Sequence, residues 1–169
     1  MKNKELTINF VDKLACGPVI FFCGILFSVF LHENLGMDAF WDTANYHIYL
    51  GWAASNLMFY DFGATAQYQT YLNPLIDIVN YKAFSIHPFF GAAVHSIFFG
   101  MAAYIVFKIS QFFSRGEAAD KIIFLIGVII SVTGAMTVSL FGSWTNENIS
   151  AVFVLAGLYF LLRGIDNEV

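Results

Sequence analysis

The feature that most constrains the fold is a set of four apolar stretches. They cover residues 14–31, 88–113, 122–141 and 149–162. At about 1.5 Å of rise per residue, the first three reach across most of a hydrocarbon core about 30 Å thick, whereas the fourth is short. Only 12% of the residues are charged, against roughly 25% in soluble domains. The sequence therefore predicts an all-α, polytopic membrane helix bundle, with residues 1–169 as a single membrane domain.

The basic residues predict how these spans are oriented. Seven of the eight Lys and Arg residues fall on one side of the four predicted spans, and Lys82 alone falls on the other. Because Lys and Arg are enriched in cytoplasmic loops, both termini are predicted to be cytoplasmic. The outer side then receives a short loop, residues 142–148, and a long loop, residues 32–87. No basic run is present to neutralise phosphates, so nucleic acid is not expected as a partner.

The long outer loop is rich in Tyr, Trp and Phe, which suit the membrane boundary, and it contains two predicted interfacial helices. In the first helix, one face is shared by Asp42, Asn45, Tyr46, Tyr49 and Ala53, with Gly51 behind it. His47 follows Asp42 by five residues, a rotation of roughly 140° in an α-helix. Either Asp42 precedes the helix, or the two side chains face different neighbours.

The second predicted helix of this loop has a clear start signal. Asn73 is a candidate cap, and Pro74 occupies the first helical position. The apolar stripe that follows consists of Leu75, Ile76, Val79, Ala83 and Ile86. Asp77 lies one turn after Asn73, so both are candidates for a polar site, although a capping Asn and a solvated Asp also explain them.

The third span carries Gly127, Ser131 and Gly134, small residues of the kind that let helices approach closely in lipid. It is therefore expected to pack inside the bundle. His95, within the second span, should face protein or water, and a structural role is the favoured interpretation.

Two acidic residues at the outer surface are the main functional candidates. Asp42 lies at a membrane interface, where a carboxylate must be solvated, paired or bound to a cation. Glu147 opens the fourth span at the same surface, with Asn146 beside it. The structural alternatives are that Asp42 caps its own helix and that Glu147 complements the positive end of a helix dipole.

Three short strings resemble those of a bacterial group of polytopic proteins in the GT-C superfamily of membrane glycosyltransferases. They are residues 41–47 (WDTANYH), 71–77 (YLNPLID) and 145–148 (TNEN). The order of elements is also similar to the amino-terminal module of that superfamily: a span, a large outer loop with an early Asp, and a short outer loop with an acid. The resemblance implies a bacterial cytoplasmic membrane location and four transmembrane helices plus two interfacial ones.

The resemblance also implies residue roles and a reaction. Asp42 takes the place of the catalytic base or a metal-site carboxylate, and Glu147 that of the acid that binds metal or donor phosphate. The implied substrate-binding residues are Asn45, Tyr46, His47, Tyr49, Asn73, Asp77 and Asn146. The reaction transfers a sugar from a polyprenyl-phosphate carrier to an acceptor outside. A divalent cation, Mg²⁺ or Mn²⁺, is the implied cofactor wherever such a site uses a metal, held by Asp42 and Glu147.

One departure from the superfamily keeps a second hypothesis open. GT-C enzymes usually have eight or more spans, so a chain with four is expected to be a fragment, half of a split enzyme, or a fold that survives without activity. The alternative is a small non-enzymatic accessory or structural membrane subunit that binds a partner protein or lipid through its aromatic outer loop. That alternative predicts that Asp42 bonds the N–H groups of its own helix.

Overall fold

The structure is a computed structural model that describes residues 16–35, 41–58, 73–113, 118–139 and 147–166. Every regular element in these ranges is helical, which confirms the all-α prediction for them. In chain order the elements are α1 (Gly17–Leu35), a π-helical turn (Thr43–His47) continued by α2 (Ile48–Ser55), α3 (Leu75–Ile86), α4 (Pro88–Gln111), α5 (Ala118–Val132), α6 (Ala135–Ser139) and α7 (Glu147–Asp166).

Three helices in the described ranges are long and apolar enough to cross a membrane. They are Gly17–Asn34, Pro88–Gln111 and Glu147–Ile165. By length and composition they mark the chain as a membrane protein. The prediction of a short last span is wrong, because α7 has 20 residues. A helix of that length spans about 30 Å, enough for the hydrocarbon core.

The predicted third span is interrupted rather than continuous. Helix α5 has 15 residues and ends at Val132, and Thr133 and Gly134 separate it from the five-residue α6. The Thr133 hydroxyl donates to the Ile129 carbonyl at 2.6 Å, and Gly is a poor helix former. These local preferences account for a break within the stretch 122–141, of which residues 140 and 141 lie outside the described ranges.

Helix α4 is the centre of the bundle, in contact with α1, α3, α5 and α7. It approaches α1 most closely at Gly24 and Gly100, where a Cβ on Gly24 would lie 2.9 Å from the Gly100 Cα. Near this crossing the buried Ser28 hydroxyl donates to the buried Ser96 hydroxyl at 2.9 Å. Small residues and a hydroxyl pair thus hold these two spans together, as is typical in lipid.

The prediction that Gly127 permits close helix packing is wrong. A Cβ added to Gly127 would meet nothing within 4 Å. The nearest atoms to a Cβ on Gly134 belong to residues 130–137 of its own segment. Between the two apolar spans α1 and α4, the close approach is made by Gly24 and Gly100.

Replacing Gly100 with Ala is expected to destabilise the bundle. The new Cβ would lie 2.8 Å from the Phe21 carbonyl oxygen, a backbone atom that cannot move away cheaply. Overpacking of this kind costs about 1–3 kcal/mol. Thermal unfolding in detergent should show a lower Tm for G100A. The matched control is G127A, which should be neutral or slightly stabilising, and an equal Tm for the two variants would contradict the packing.

Candidate functional site

Asp42 stands at the start of a π-helical turn, and it does not act as a helix cap. Its backbone is already helical, with φ −64° and ψ −41°, and its side chain makes no capping hydrogen bond. The interpretation of Asp42 as an N-cap is therefore wrong. The Asp42 carboxylate instead interacts with the side chain of Tyr46, four residues later.

The π-helical turn changes which side chains share a face. Its backbone hydrogen bonds span five residues, as shown by the bond from Ile48 N–H to the Thr43 carbonyl. Residues five apart are therefore closer in rotation than in an α-helix, and such turns are frequent at functional sites. Within this turn Tyr46 and His47 are both buried, with ring centroids 4.3 Å apart.

The phenol of Tyr46 lies within the electrostatic reach of three carboxylates. Burial is the largest effect on it, followed by the charge of Asp42 and a hydrogen bond with that side chain. The charges of Glu147 and Asp77 add to this effect, and together they raise the pKa of Tyr46 to about 12. Tyr46 therefore keeps its proton at physiological pH and acts as a hydrogen-bond donor.

His47 and Asp77 form a buried pair that joins the two loop helices. His47 Nδ1 lies 2.8 Å from Asp77 Oδ1, and the two residues are 6% and 1% exposed. The backbones come close beside this pair, since a Cβ on Gly51 would contact the Asp77 carbonyl oxygen and lie 2.7 Å from the Tyr81 Cβ. Gly51 thus belongs to the packed face of α2, which corrects the prediction that it lies behind.

Asn80 is a buried residue that sequence reasoning did not select. It is fully buried one turn after Asp77, and neither Oδ1 nor Nδ2 has a hydrogen-bond partner among the described residues. The sequence could have indicated Asn80, because Asp77 and Asn80 are three residues apart and share one face of the helix. The apolar stripe was the more visible pattern, yet its members Leu75 and Ile86 are 64% and 72% exposed.

The remaining predicted residues have simpler environments. Asn45 Nδ2 donates to the Trp41 carbonyl at 2.6 Å, on its own helix. The ring of Tyr49 lies 5.9 Å from that of Trp52. Asn73 Oδ1 accepts from Leu75 N–H at 3.0 Å, so Asn73 bonds the first N–H of α3 as predicted. The prediction that Pro74 is the first helical residue is wrong, because α3 begins at Leu75 and Pro74 holds the cap position.

Glu147 is the exposed first residue of α7, and Asn146 lies outside the described residues. The charges of Asp42, Asp77 and Glu147 therefore all act on Tyr46, and His47 contacts both the ring of Tyr46 and the carboxylate of Asp77. Asn73 is occupied as a cap, and Asn45 donates to its own backbone.

A divalent cation was predicted to bind Asp42 and Glu147, and carboxylate oxygens are the ligands that Mg²⁺ and Mn²⁺ prefer. Both carboxylates act on the Tyr46 phenol. Within residues 16–35, 41–58, 73–113, 118–139 and 147–166, no three His, Cys, Asp or Glu side chains are grouped so as to hold a metal ion. The cation remains a prediction.

No protein-family model matches the chain, and no curated protein or solved structure is significantly similar to it. The resemblance to GT-C glycosyltransferases therefore remains a prediction from short sequence strings.

The acidic surroundings of Tyr46 lead to a spectroscopic prediction. The unfolded chain loses this proton near pH 10.0 and the folded protein near pH 12. The stability gained from the neutral phenol is thus complete below pH 10 and is lost as the pH rises to 12. The pKa of Tyr46 can be measured from tyrosinate absorbance, taken as the difference between each protein with and without the Y46F substitution. This pKa should be lower in D42N than in wild type and, to a lesser extent, lower in E147Q.

The matched control for this titration is E33Q, which removes an exposed carboxylate that is not among the three charges acting on Tyr46. It should leave the Tyr46 pKa at the wild-type value. If E33Q lowers the pKa as much as D42N, the shift reflects overall charge and not this cluster.

Loss of either member of the His47–Asp77 pair should destabilise the protein. Each single variant, H47F or D77L, removes the buried hydrogen bond between the two loop helices, at a cost of about 1–3 kcal/mol. The double variant should lose less than the two single losses combined, as measured by the free energy of unfolding. As a control, H47F and N73A should be additive, because Asn73 only caps α3. Additivity of H47F and D77L would contradict the pairing.

Proposed function

We propose that this chain is a module of a GT-C-like membrane glycosyltransferase. It transfers a sugar from a polyprenyl-phosphate carrier to an acceptor hydroxyl at the outer face of the bacterial cytoplasmic membrane, with both termini cytoplasmic and four spans. The observation that supports this proposal is that the charges of Asp42 and Glu147 both act on the Tyr46 phenol. These two acids come from segments more than 100 residues apart, and both were selected from the sequence for this role.

In the proposed reaction Asp42 is the general base. The acceptor hydroxyl oxygen attacks the anomeric carbon of the donor, Asp42 takes the hydroxyl proton, and the bond from the anomeric carbon to the carrier phosphate oxygen breaks. The leaving group is polyprenyl phosphate. A positioned carboxylate contributes roughly 10²-fold to 10⁴-fold to a step of this kind.

Tyr46 holds this base in place and remains a donor. Its pKa of about 12 means that the phenol proton stays bound while Asp42 accepts it in a hydrogen bond. Because His47 and Asp77 are more than nine-tenths buried, they act as positioning residues behind Tyr46 and do not touch substrate. Asn45 and Tyr49 are half-buried and remain proposed substrate contacts.

The charge of the site has a consequence for the donor. Asp42 and Glu147 together repel a phosphate, so the donor phosphate requires a positive charge between itself and these acids. Their oxygens are suitable ligands for Mg²⁺ or Mn²⁺, and such an ion supplies that charge when bound. Lys82 lies exposed on α3, the loop helix that also carries Asp77.

The alternative function, a non-enzymatic accessory subunit, predicts that Asp42 caps its own helix. The structure has no such hydrogen bond. On that hypothesis the aromatic pair Tyr49 and Trp52, whose rings lie 5.9 Å apart, belongs to the surface that meets a partner. The two functions therefore differ most sharply in what the Asp42 carboxylate contributes.

The test uses the purified chain in nanodiscs with a panel of short polyprenyl-phosphate sugars, and it measures release of polyprenyl phosphate. Replacing Asp42 with Asn should lower the rate by about 10²-fold or more, because the proton acceptor is lost. Donor binding should persist in D42N, as measured by cross-linking of a photoreactive polyprenyl-phosphate sugar.

The matched control is E33Q, an exposed acid of α1, which should retain the wild-type rate. Added EDTA should lower the rate if a divalent cation is used, with restoration by Mn²⁺ or Mg²⁺. Equal rates for wild type and D42N would refute Asp42 as base. Absence of both donor cross-linking and turnover would favour the accessory subunit.

A further inference from the structure

An apolar groove runs along the bundle between α1 and α5, with Ala103 of α4 at its base. Its volume is about 380 Å³, and its lining is almost entirely apolar. The α1 wall extends from Val19 to Phe27 and the α5 wall from Leu125 to Val132, each about 10–12 Å along the helix axis. Neither the sequence nor the proposed reaction assigns a role to this groove.

Small side chains keep the groove open. Near the start of α1 the two walls are joined, since Ile20 of α1 and Phe124 of α5 belong to one buried cluster. The lining residues Cys23, Gly24 and Ala103 are small and leave space that neither wall fills. Gly24 is also the residue that lets α1 approach α4, where a Cβ would lie 2.9 Å from the backbone. The groove is therefore a consequence of the close packing of these two spans.

The dimensions of the groove suit one hydrocarbon chain. An apolar cavity of about 150 Å³ binds benzene, so a groove about two and a half times as large has room for roughly fifteen carbon atoms. Its length is close to the hydrocarbon depth of one leaflet, about 15 Å. A further helix does not fit inside it, because a segment of that length, with side chains, occupies on the order of 1,000 Å³.

The charges at the two ends of the groove decide where a lipid headgroup lies. The groove begins in the first turn of α1, at the end of the bundle where α4 finishes and α5 starts. At this end α4 carries Lys108, and α5 carries Asp120 and Lys121. The opposite end of α1 carries Glu33. An anionic headgroup is therefore favoured at the lysine end.

Lys121 is the lysine that continues the groove towards the membrane surface. It lies one turn before Leu125, a lining residue, so the two share a face of α5. The side chain is half-buried. A lysine near the end of a membrane helix lays its methylene stem on apolar surface and extends its ammonium to the headgroups. Basic positions of this kind on the cytoplasmic side bind anionic lipids.

We propose that this groove binds one acyl chain of an anionic phospholipid, whose phosphate lies at Lys121. The lipid belongs to the cytoplasmic leaflet, because the lysine end is the side predicted to be cytoplasmic from seven of the eight Lys and Arg residues. The proposed glycosyl reaction places its donor phosphate at the opposite end, beside Asp42 and Glu147. The groove is thus a separate site, and the proposal does not depend on glycosyl transfer.

The experiment is native mass spectrometry of the purified chain, released from micelles that contain equal amounts of dioleoyl phosphatidylglycerol and dioleoyl phosphatidylcholine. The two lipids share their acyl chains and differ in headgroup charge. We expect about one retained phosphatidylglycerol per chain and a preference for it of at least about fivefold. A lipid bound by the folded state also raises Tm, so phosphatidylglycerol nanodiscs should give a higher Tm than phosphatidylcholine nanodiscs.

A matched pair of isoleucine variants tests the groove. Ile129 and Ile130 are neighbours on α5, 57% and 65% exposed, and Ile130 does not line the groove. I129W should lower the retention of both lipids about tenfold, because the indole ring occupies the space of the chain, and I130W should retain them at the wild-type level. C23F fills the groove from the α1 wall and provides a second test if I129W misfolds.

A matched pair of lysine variants tests the headgroup position. K121Q should lower the preference for phosphatidylglycerol about fivefold, the equivalent of one lysine near an anionic surface. It should leave the retention of phosphatidylcholine unchanged. The control is K82Q, which removes an exposed lysine of α3 on the predicted outer side and should keep the wild-type preference.

Three results would overturn the proposal. The first is equal retention of the two lipids by the wild-type chain. The second is wild-type lipid retention in both I129W and C23F. The third is a wild-type dimer that I129W converts to a monomer, which would assign the groove to a second copy of the chain. Every readout here is binding or stability, so loss of glycosyltransferase activity bears on none of them.

Discussion

The hydrogen bond between His47 Nδ1 and Asp77 Oδ1 fixes the relation between the two loop helices, and the candidate site depends on it. At 2.8 Å and almost out of contact with solvent, the pair links residues 30 positions apart. Buried polar groups of this kind are costly unless each finds its partner, so only one register of α2 on α3 is acceptable. That register also requires Gly51, whose missing side chain admits the α3 backbone. With the register set, the ring of Tyr46 is held against His47 and beside Asp42.

The loop helix α3 illustrates how the solvent decides which face of a helix is buried. Its apolar residues Leu75, Val79 and Ile86 are exposed, and its polar residues Asp77 and Asn80 are buried. In a water-soluble protein this arrangement would be unstable, because apolar surface would remain in water. A lipid environment removes that penalty and leaves polar pairing as the main reason for one face to turn inward. The exposed apolar stripe thus agrees with the predicted interfacial position of this helix.

The sequence predicted the features that follow from local composition. The three long spans come from continuous apolar stretches, and the Asn73 cap comes from a local Asn-Pro signal. It did not predict the π-helical turn, because a single extra residue per turn leaves no distinct periodicity over five residues. Nor did it show which glycines permit close packing, since Gly24 and Gly100 resemble Gly127 until the opposing helix is known. The pairing of Asp42 with Glu147 was predicted from the topology, which places both acids at the outer surface, and from a family resemblance, because no local rule relates positions so far apart.

The raised pKa of Tyr46 has two physical causes, the burial of its phenol and the negative charges that act on it. The charges that hold the phenol proton in place, from Asp42, Glu147 and Asp77, also create a negative potential at this end of the bundle. Low surrounding dielectric strengthens that potential and extends its reach. On the proposed function, a divalent cation held by the carboxylate oxygens of Asp42 and Glu147 would offset this potential beside a donor phosphate.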